Sequence, residues 1–177
     1  EIVAVNNFDQ NMGGVIPDDG ERDLIAPMVR QCQHWTAPGE LVAAQLRVEH
    51  FFDGIHIPVI GYLDFSFDTT DVDLKTTKAI PSTPRPDHVR QVSLYRAARS
   101  KPGGLLYVSA KRHQYFQVDD DAMDRALSDL EVTARSLMQF LGRVDSTKEA
   151  LACLPMDTDH YAFPKMKVPL SDILLAG

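Results

Sequence analysis

The stretch from Tyr62 to Lys75 constrains the fold more than any other part of the 177-residue chain. Its apolar residues alternate with polar ones, at odd positions first and then at even positions: Leu63, Phe65, Phe67, Val72 and Leu74. This alternation is typical of strands that place one face on a core, so the stretch predicts a β-hairpin. If the hairpin loop has two or four residues, even positions of the first strand share a face with odd positions of the second.

The polar face of this predicted hairpin carries Asp64, Asp73 and Lys75. Opposite residues of an antiparallel pair have Cβ atoms about 5 Å apart, so the two aspartates are placed to hold one small cation. Magnesium takes carboxylate oxygens, and a metal beside an ammonium suits hydrolysis of a phosphodiester. The metal generates the nucleophile from water, and the ammonium supports the developing negative charge. The alternative is that all three residues are ordinary surface charges of a solvated hairpin.

The composition is that of an ordinary globular protein, with 44% hydrophobic and 24% charged residues. No apolar run approaches the roughly 18 residues that a membrane span requires, and no signal peptide is visible. Cys32 and Cys153 are too few for a disulfide framework or a four-cysteine metal site. We therefore expect a protein of a reducing, cytoplasmic compartment without membrane association.

Basic residues are concentrated in one segment, although the whole chain has a net charge of −7. From Lys75 to Arg112 there are nine basic residues against one acid, a net +8, so the rest of the chain must carry −15. This asymmetry predicts a basic patch on an acidic body, and a solvated helix face with scattered arginines is the alternative.

The order of predicted elements defines an α/β protein. A helix over residues 21–34 precedes a three-strand antiparallel meander, then a helix from about Asp87 to Arg99 and a further hairpin. The strands are predicted at Leu41–Phe52, Val59–Phe67, the second half of the opening hairpin, Leu105–Ala110 and Tyr115–Val118. We expect one domain over residues 1–177, made of an irregular lead-in (1–20), a core (21–118), a packing helix (119–143) and an extended tail (155–177).

The second predicted helix carries polar residues at helical spacing. Gln91 and Tyr95 are four positions apart and therefore lie on one face, which they share with His88. Prolines precede this helix, and Lys101-Pro102-Gly103-Gly104 is predicted to end it.

Taken together, these motifs resemble the PD-(D/E)XK nuclease superfamily. The first Asp stands on the second strand of the meander, Asp73-Leu74-Lys75 on the third, and Gln91-x-x-x-Tyr95 on the following helix. The added Gln-x-x-x-Tyr is similar to the branch that contains the RecB nuclease domain and lambda-type phage exonucleases. The resemblance covers about residues 21–118 and implies a restriction-endonuclease-like core.

The resemblance also implies a role for each of these residues. Asp64, Asp73 and the backbone carbonyl of Leu74 correspond to metal ligands, and Lys75 to the lysine that positions or activates the attacking water. Gln91 and Tyr95 correspond to the helix pair that supports the site and approaches the nucleic-acid backbone. The expected metal is magnesium, with manganese as the alternative. The cysteines of iron–sulfur relatives are missing, so no such cluster is implied, and the upstream helical His or Glu of this branch has no match.

The function implied is a magnesium-dependent deoxyribonuclease of phage or recombination type, an exonuclease rather than an endonuclease. DNA is the expected partner, with phosphate contacts at Arg90, Arg96, Arg99 and Lys78. A homo-oligomer or a recombination partner protein is compatible with this class. The rival interpretations are a non-catalytic nucleic-acid-binding module that keeps the fold, and a structural α/β protein whose two aspartates are surface charges.

Overall fold

The fold is seen in a computed structural model, which describes residues 19–146 and residue 149. The elements are α1 (Asp19–His34), β1 (Leu41–His50), β2 (Val59–Phe67), β3 (Asp71–Thr76), α2 (Pro86–Arg99), β4 (Gly103–Val108), β5 (His113–Gln117) and α3 (Asp120–Leu141). Most of the predicted lead-in and the whole predicted tail lie outside the described residues.

The five strands form one mixed sheet in the order β1-β2-β3-β4-β5. Strands β3 and β4 pair in parallel, and the other neighbouring strands pair antiparallel. A parallel pair requires a crossover connection, and α2 supplies it. The predicted α/β class, with an antiparallel meander, a helix and further strands in a sheet flanked by helices, is confirmed.

The sheet is covered on both faces. Phe67, Val72 and Leu106 are buried on one face, where Met28 and Cys32 of α1 pack. On the other face, Val92 of α2 and Met123 of α3 pack against buried residues of β4, Leu105 and Tyr107. The face of the opening hairpin that carries its charged residues is therefore not an open solvated surface, because α2 lies over it.

The opening hairpin has the predicted register. The Phe67 N–H donates to the Thr70 carbonyl at 2.9 Å, which closes a two-residue turn. Phe65 pairs with Val72 and Ser66 with Asp71, and beyond these residues the two strands part. Strand β2 continues with β1 alone, down to the pair of Val59 with His50. A fork thus opens between β2 and β3 just before Phe65, and we refer to this place as the fork.

Several predicted boundaries shift by a few residues. Strand β4 is shifted at both ends and begins at Gly103, although the two glycines were expected to form a loop. A Cβ at Gly103 would lie 2.3 Å from Cγ1 of Val92, so a glycine is needed where α2 approaches the strand. Helix α2 ends at Arg99, as predicted, and is capped by Ser100, which has left-handed backbone geometry with φ 54°.

The chain comprises two compact units, Glu1–Glu131 and Val132–Gly177. The first contains the sheet, α1, α2 and the beginning of α3, where Asp119 caps the helix by accepting the Ala122 N–H at 2.8 Å. In the second, the described residues are the end of α3 and the turn after it; Ser136 Oγ donates to the Val132 carbonyl at 2.8 Å. None of the helices in the described part of the chain has the length and apolar character of a membrane span.

Candidate active site

Asp64 lies at the fork, where β2 leaves β3. Its Oδ2 accepts the backbone N–H of Leu74 at 2.8 Å, and its Oδ1 accepts Nε2 of Gln45 at 2.8 Å. The carboxylate therefore takes the place of a backbone acceptor opposite β3. The strands are no longer paired at Asp64, yet its charge contributes to raising the pKa of Asp73, so the two carboxylates lie near each other.

Asp73 is buried, with 1% of its surface exposed. Nζ of Lys75 lies 2.6 Å from its Oδ2 as an ion pair, and no other described group donates to this oxygen. Burial raises the pKa of Asp73 to about 6, against the effect of Lys75 and with a smaller contribution from the charge of Asp64. The single ammonium of Lys75 therefore does not compensate the burial of Asp73 and the nearby charge of Asp64, and a further cation between the two carboxylates would do so, which fits a metal ligand.

A chain of hydrogen bonds runs from Lys75 into α2. Nζ of Lys75 donates to Oε1 of Gln91 at 2.6 Å, Nε2 of Gln91 donates to the Tyr95 hydroxyl at 2.7 Å, and that hydroxyl donates to the Tyr62 carbonyl at 2.8 Å. The chain holds the ammonium of Lys75 between Asp73 and Gln91. The helix face predicted from the four-residue spacing is thus directed at the lysine.

Tyr95 supports this chain from inside the protein. Its side chain is 1% exposed, and burial raises the pKa of the phenol to about 12, so it remains a protonated donor at neutral pH. The resemblance implies that Gln91 and Tyr95 both support the site and approach the nucleic-acid backbone. The bonds of the Tyr95 hydroxyl are within the protein, which corresponds to the supporting role.

Gly61 provides the space for Tyr95. A Cβ there would lie 2.7 Å from Cε1 of the buried ring. Gly61→Ala is therefore expected to displace Tyr95, lowering the free energy of unfolding by about 1–3 kcal/mol as overpacked sites do. Urea unfolding measures this change. Tyr95→Phe is the control for the hydroxyl alone, and an alanine variant as stable as the wild type would contradict the close fit.

Tyr107 and His88 extend the site beside Lys75. Tyr107 is the β4 neighbour of Lys75. Its hydroxyl accepts the Arg85 N–H at 3.1 Å and shares a hydrogen bond with Nδ1 of His88 at 2.7 Å. Burial lowers the pKa of His88, an effect that Asp87 opposes and Lys75 and Arg85 reinforce. His88 is therefore a neutral imidazole beside the lysine.

Gln45 is a part of the site that sequence reasoning missed. It lies within β1 with φ 53°, a left-handed geometry that is rare for a residue other than glycine and costs free energy. Its amide is the donor that orients Oδ1 of Asp64. A glutamine inside a strand carries no signal of such a conformation, so the residue is recognised only in the structure.

We expect Gln45→Ala to weaken magnesium binding about tenfold, because groups that orient a metal ligand contribute at this level. Gln45→Gly should weaken magnesium binding equally. Its free energy of unfolding should be about 1 kcal/mol higher than that of Gln45→Ala, since glycine tolerates positive φ. Calorimetric titration with magnesium and urea unfolding check the two effects. If both variants bound magnesium as tightly as the wild type does, Gln45 would have no role in the metal site.

Two of the arginines predicted to contact nucleic acid form ion pairs with acids of the protein itself. Nε of Arg99 donates to Asp71 at 2.6 Å, and its Nη2 donates to Ser66 at 2.9 Å. Arg96 forms ion pairs with acids at the start of α3, Asp120 and Asp124. The net +8 of the segment therefore overstates the charge that it offers to a partner.

The other two residues predicted to contact phosphate are not neutralised by acids in the described part of the chain. Arg90 and Lys78 form no ion pair with residues 19–146, and Lys78 is exposed. The partners of Arg96 and Arg99 are 24 or more residues away in the chain, so sequence distribution alone does not reveal them. Among the four, Lys78 and Arg90 are the better candidates for binding phosphate.

The described residues contain no cluster of three or more His, Cys, Asp or Glu side chains that would enclose a metal. The pair at the fork nevertheless suits magnesium, which is commonly held by one or two carboxylates with water and substrate phosphate completing its shell. Asp64 and Asp73 are thus compatible with a metal that is bound together with its substrate.

Comparisons with known proteins leave the function open. No family model and no curated protein match the sequence. Among solved structures, the chain has 18% identity to the crystal structure of SSO0001, over 51% of this chain and 49% of that one, with a TM-score of 0.39. The alignment spans about half of either protein, and a TM-score this low does not establish a shared fold or activity.

Proposed function

We propose that this protein is a metal-dependent deoxyribonuclease. The observation that carries the proposal is a pair of carboxylates at the fork that share one ammonium. Buried Asp73 forms an ion pair with Lys75, and the nearby Asp64 accepts hydrogen bonds only from the uncharged Leu74 N–H and Gln45 amide among the described residues. A purely structural protein gains nothing from this burial, because a neutral or apolar residue would be more stable there. A site that binds a cation accounts for both carboxylates.

Asp64 and Asp73 would hold magnesium or manganese, with the carbonyl of Leu74 as the third ligand that the resemblance to PD-(D/E)XK nucleases suggests. When bound, such a metal polarises a phosphate oxygen and lowers the pKa of water. Carboxylate oxygens are the donors that these hard cations prefer. Both aspartates are already oriented, Asp64 by two hydrogen bonds and Asp73 by its burial.

Lys75 supplies the positive charge for the transition state. Its Nζ is held by Asp73 and Gln91, so the ammonium is fixed before substrate arrives and no reorganisation is needed during the reaction. His88 adds a neutral imidazole on the same side of α2. The ammonium stabilises charge that develops on the phosphate oxygens.

The substrate we propose is DNA, attacked from an end in the manner of an exonuclease. Lys78 follows Lys75 by three residues and is exposed, and Arg90 adjoins Gln91 on α2. We infer that both bind the phosphates of a strand that leads to the site. Phosphate contacts of this kind position a strand without reading its sequence.

Cleavage assays on linear and covalently closed circular DNA test the proposal. Each is incubated with magnesium, with manganese and with a chelator, and the double variant Asp64→Asn, Asp73→Asn is the control. We expect metal-dependent release of nucleotides from linear DNA alone. Binding of DNA without turnover under every condition would instead favour the non-catalytic module, and neither binding nor turnover would reject both.

A further inference from the structure

Strand β2 presents an exposed aromatic residue next to the candidate metal site. Tyr62 is 57% exposed and stands two residues before Asp64. The intervening Leu63 is fully buried and packs with Tyr95. Because side chains alternate along a strand, Tyr62 projects from the side of β2 opposite to Leu63, away from Tyr95. The Asp64 carboxylate lies at the fork, two residues further along β2, where it accepts the Leu74 N–H.

Two further residues complete this surface, which we call the β2 platform: Ile60, Tyr62 and Arg47. Ile60 is 47% exposed and lies two residues before Tyr62. Arg47 is the β1 partner of Tyr62, and its half-exposed side chain forms an ion pair with Glu49. The platform therefore combines an aromatic ring, an apolar side chain and a guanidinium that is paired with Glu49, the β1 partner of Ile60, and it adjoins Asp64 and Gln45 along the two strands.

The platform is held in place relative to the catalytic groups. The carbonyl of Tyr62 accepts the Tyr95 hydroxyl, which is joined through Gln91 to Lys75. The ring of Tyr62 is thus exposed while its backbone is fixed to the site. Two residues of a strand span roughly 7 Å, so a group on Tyr62 and a phosphate at Asp64 belong to the same or adjoining nucleotides.

Exposed aromatic rings beside cationic side chains are suited to unpaired nucleobases. A base stacks on the ring, and an arginine contributes cation–π contact or binds the adjacent phosphate. Bases within an intact duplex are stacked on one another and do not offer a face to such a ring. The chemistry of the platform therefore selects a single strand or a frayed end.

We propose that the β2 platform binds one unpaired nucleobase of the substrate strand by stacking on Tyr62, next to the phosphate that is cleaved. The inference rests on the proposed nuclease function and specifies its substrate: single-stranded DNA, or a duplex whose end has opened. The test compares Tyr62→Ala with Tyr62→Phe, which keeps the ring. Val42→Ala is the control for loss of an exposed apolar side chain at the opposite end of β1, because Val42 is 65% exposed and lies outside the platform.

The first measurement is the binding of a fluorescent single-stranded oligonucleotide in calcium. We expect Tyr62→Ala to lower affinity about tenfold, within the range of base–aromatic stacking, and Tyr62→Phe and Val42→Ala to bind as the wild type does. Equal affinity of Tyr62→Ala and the wild type would overturn the inference, as would an equal loss in Tyr62→Phe.

The second measurement is cleavage of oligonucleotides that lack one base at successive positions. In the wild type, a missing base at one position near the cleaved bond should raise KM about tenfold, and in Tyr62→Ala the same lesion should have no further effect. Cleavage that is equally sensitive at every position would overturn the inference and leave the nuclease function standing. No cleavage of any substrate would reject the nuclease function, whereas the binding measurement would still decide whether Tyr62 stacks on a base.

Discussion

Asp73→Asn is expected to lower the rate of DNA cleavage by about a thousandfold or more, because it removes a negative charge from the two-carboxylate metal site. Magnesium affinity should fall with it. The side chain keeps its size, so the fold should persist. Calorimetry and single-turnover cleavage measure the two losses, and unchanged magnesium affinity would show that Asp73 is not a ligand.

The same substitution is expected to stabilise the protein in the absence of metal. The pKa of Asp73 is about 6 in the folded protein, above the ordinary value of about 3.9. The folded state therefore binds the proton more tightly than the unfolded state, and stability present at low pH is lost as pH rises through 6. The difference amounts to about 3 kcal/mol at most, and Asp73→Asn should avoid it.

Urea unfolding in a chelator at pH 4, 6 and 8 follows this effect. The variant should be more stable than the wild type at pH 8, and the two should converge near pH 4. Subtracting the variant's pH dependence removes the contribution of the other titrating groups. A variant that is less stable at pH 8 would mean that the ion pair with Lys75 outweighs the burial of the charge.

Lys75→Ala is expected to lower kcat by about a hundredfold to a thousandfold, with little change in DNA affinity. The reason is the position of its Nζ, which Asp73 and Gln91 hold beside the carboxylates. Single-turnover rates and binding in calcium separate chemistry from affinity. Equal loss in both would make Lys75 a phosphate contact only.

Lys78→Ala is the matched control, since it removes the same charge three residues away at an exposed position. It should weaken DNA binding and reduce the slope of log affinity against log salt by about one, with kcat little changed. A catalytic loss equal to that of Lys75→Ala would indicate a general effect of charge.

Features of the site that depend only on residues close in sequence are predicted well, because they follow from the periodicity of strands and helices. The pairing of Phe65 with Val72 follows from alternation and a short turn. The predicted shared apolar face does not extend to Leu63, which packs on Tyr95 of α2, whereas Phe65 packs on the side of α1. The face shared by Gln91 and Tyr95 follows from helical spacing in the same way. Such features are properties of neighbouring residues and need no knowledge of the tertiary structure.

The remaining features depend on contacts between distant parts of the chain. The burial of Asp73 arises because α2 docks over the sheet, and Arg99 is withdrawn from solvent by Asp71, 28 residues away. The positive φ of Gln45 has no signal in the identity of the residue. A periodic pattern shows which residues share a face, and it does not show what covers that face.

The parallel pairing of β3 with β4 has a consequence for the order of folding. The hairpin that carries Asp64 and Asp73 is local, and its chain closes over a short loop at little entropic cost. The pairing of β3 with β4 needs the crossover through α2, so it is a slower, nonlocal event. We therefore expect Asp73 to be hydrated in the early hairpin and to lose its water only when α2 docks. The free-energy penalty of burying its charge then falls on a late step of folding. A proton or a cation bound to Asp73 would remove this penalty and speed that step.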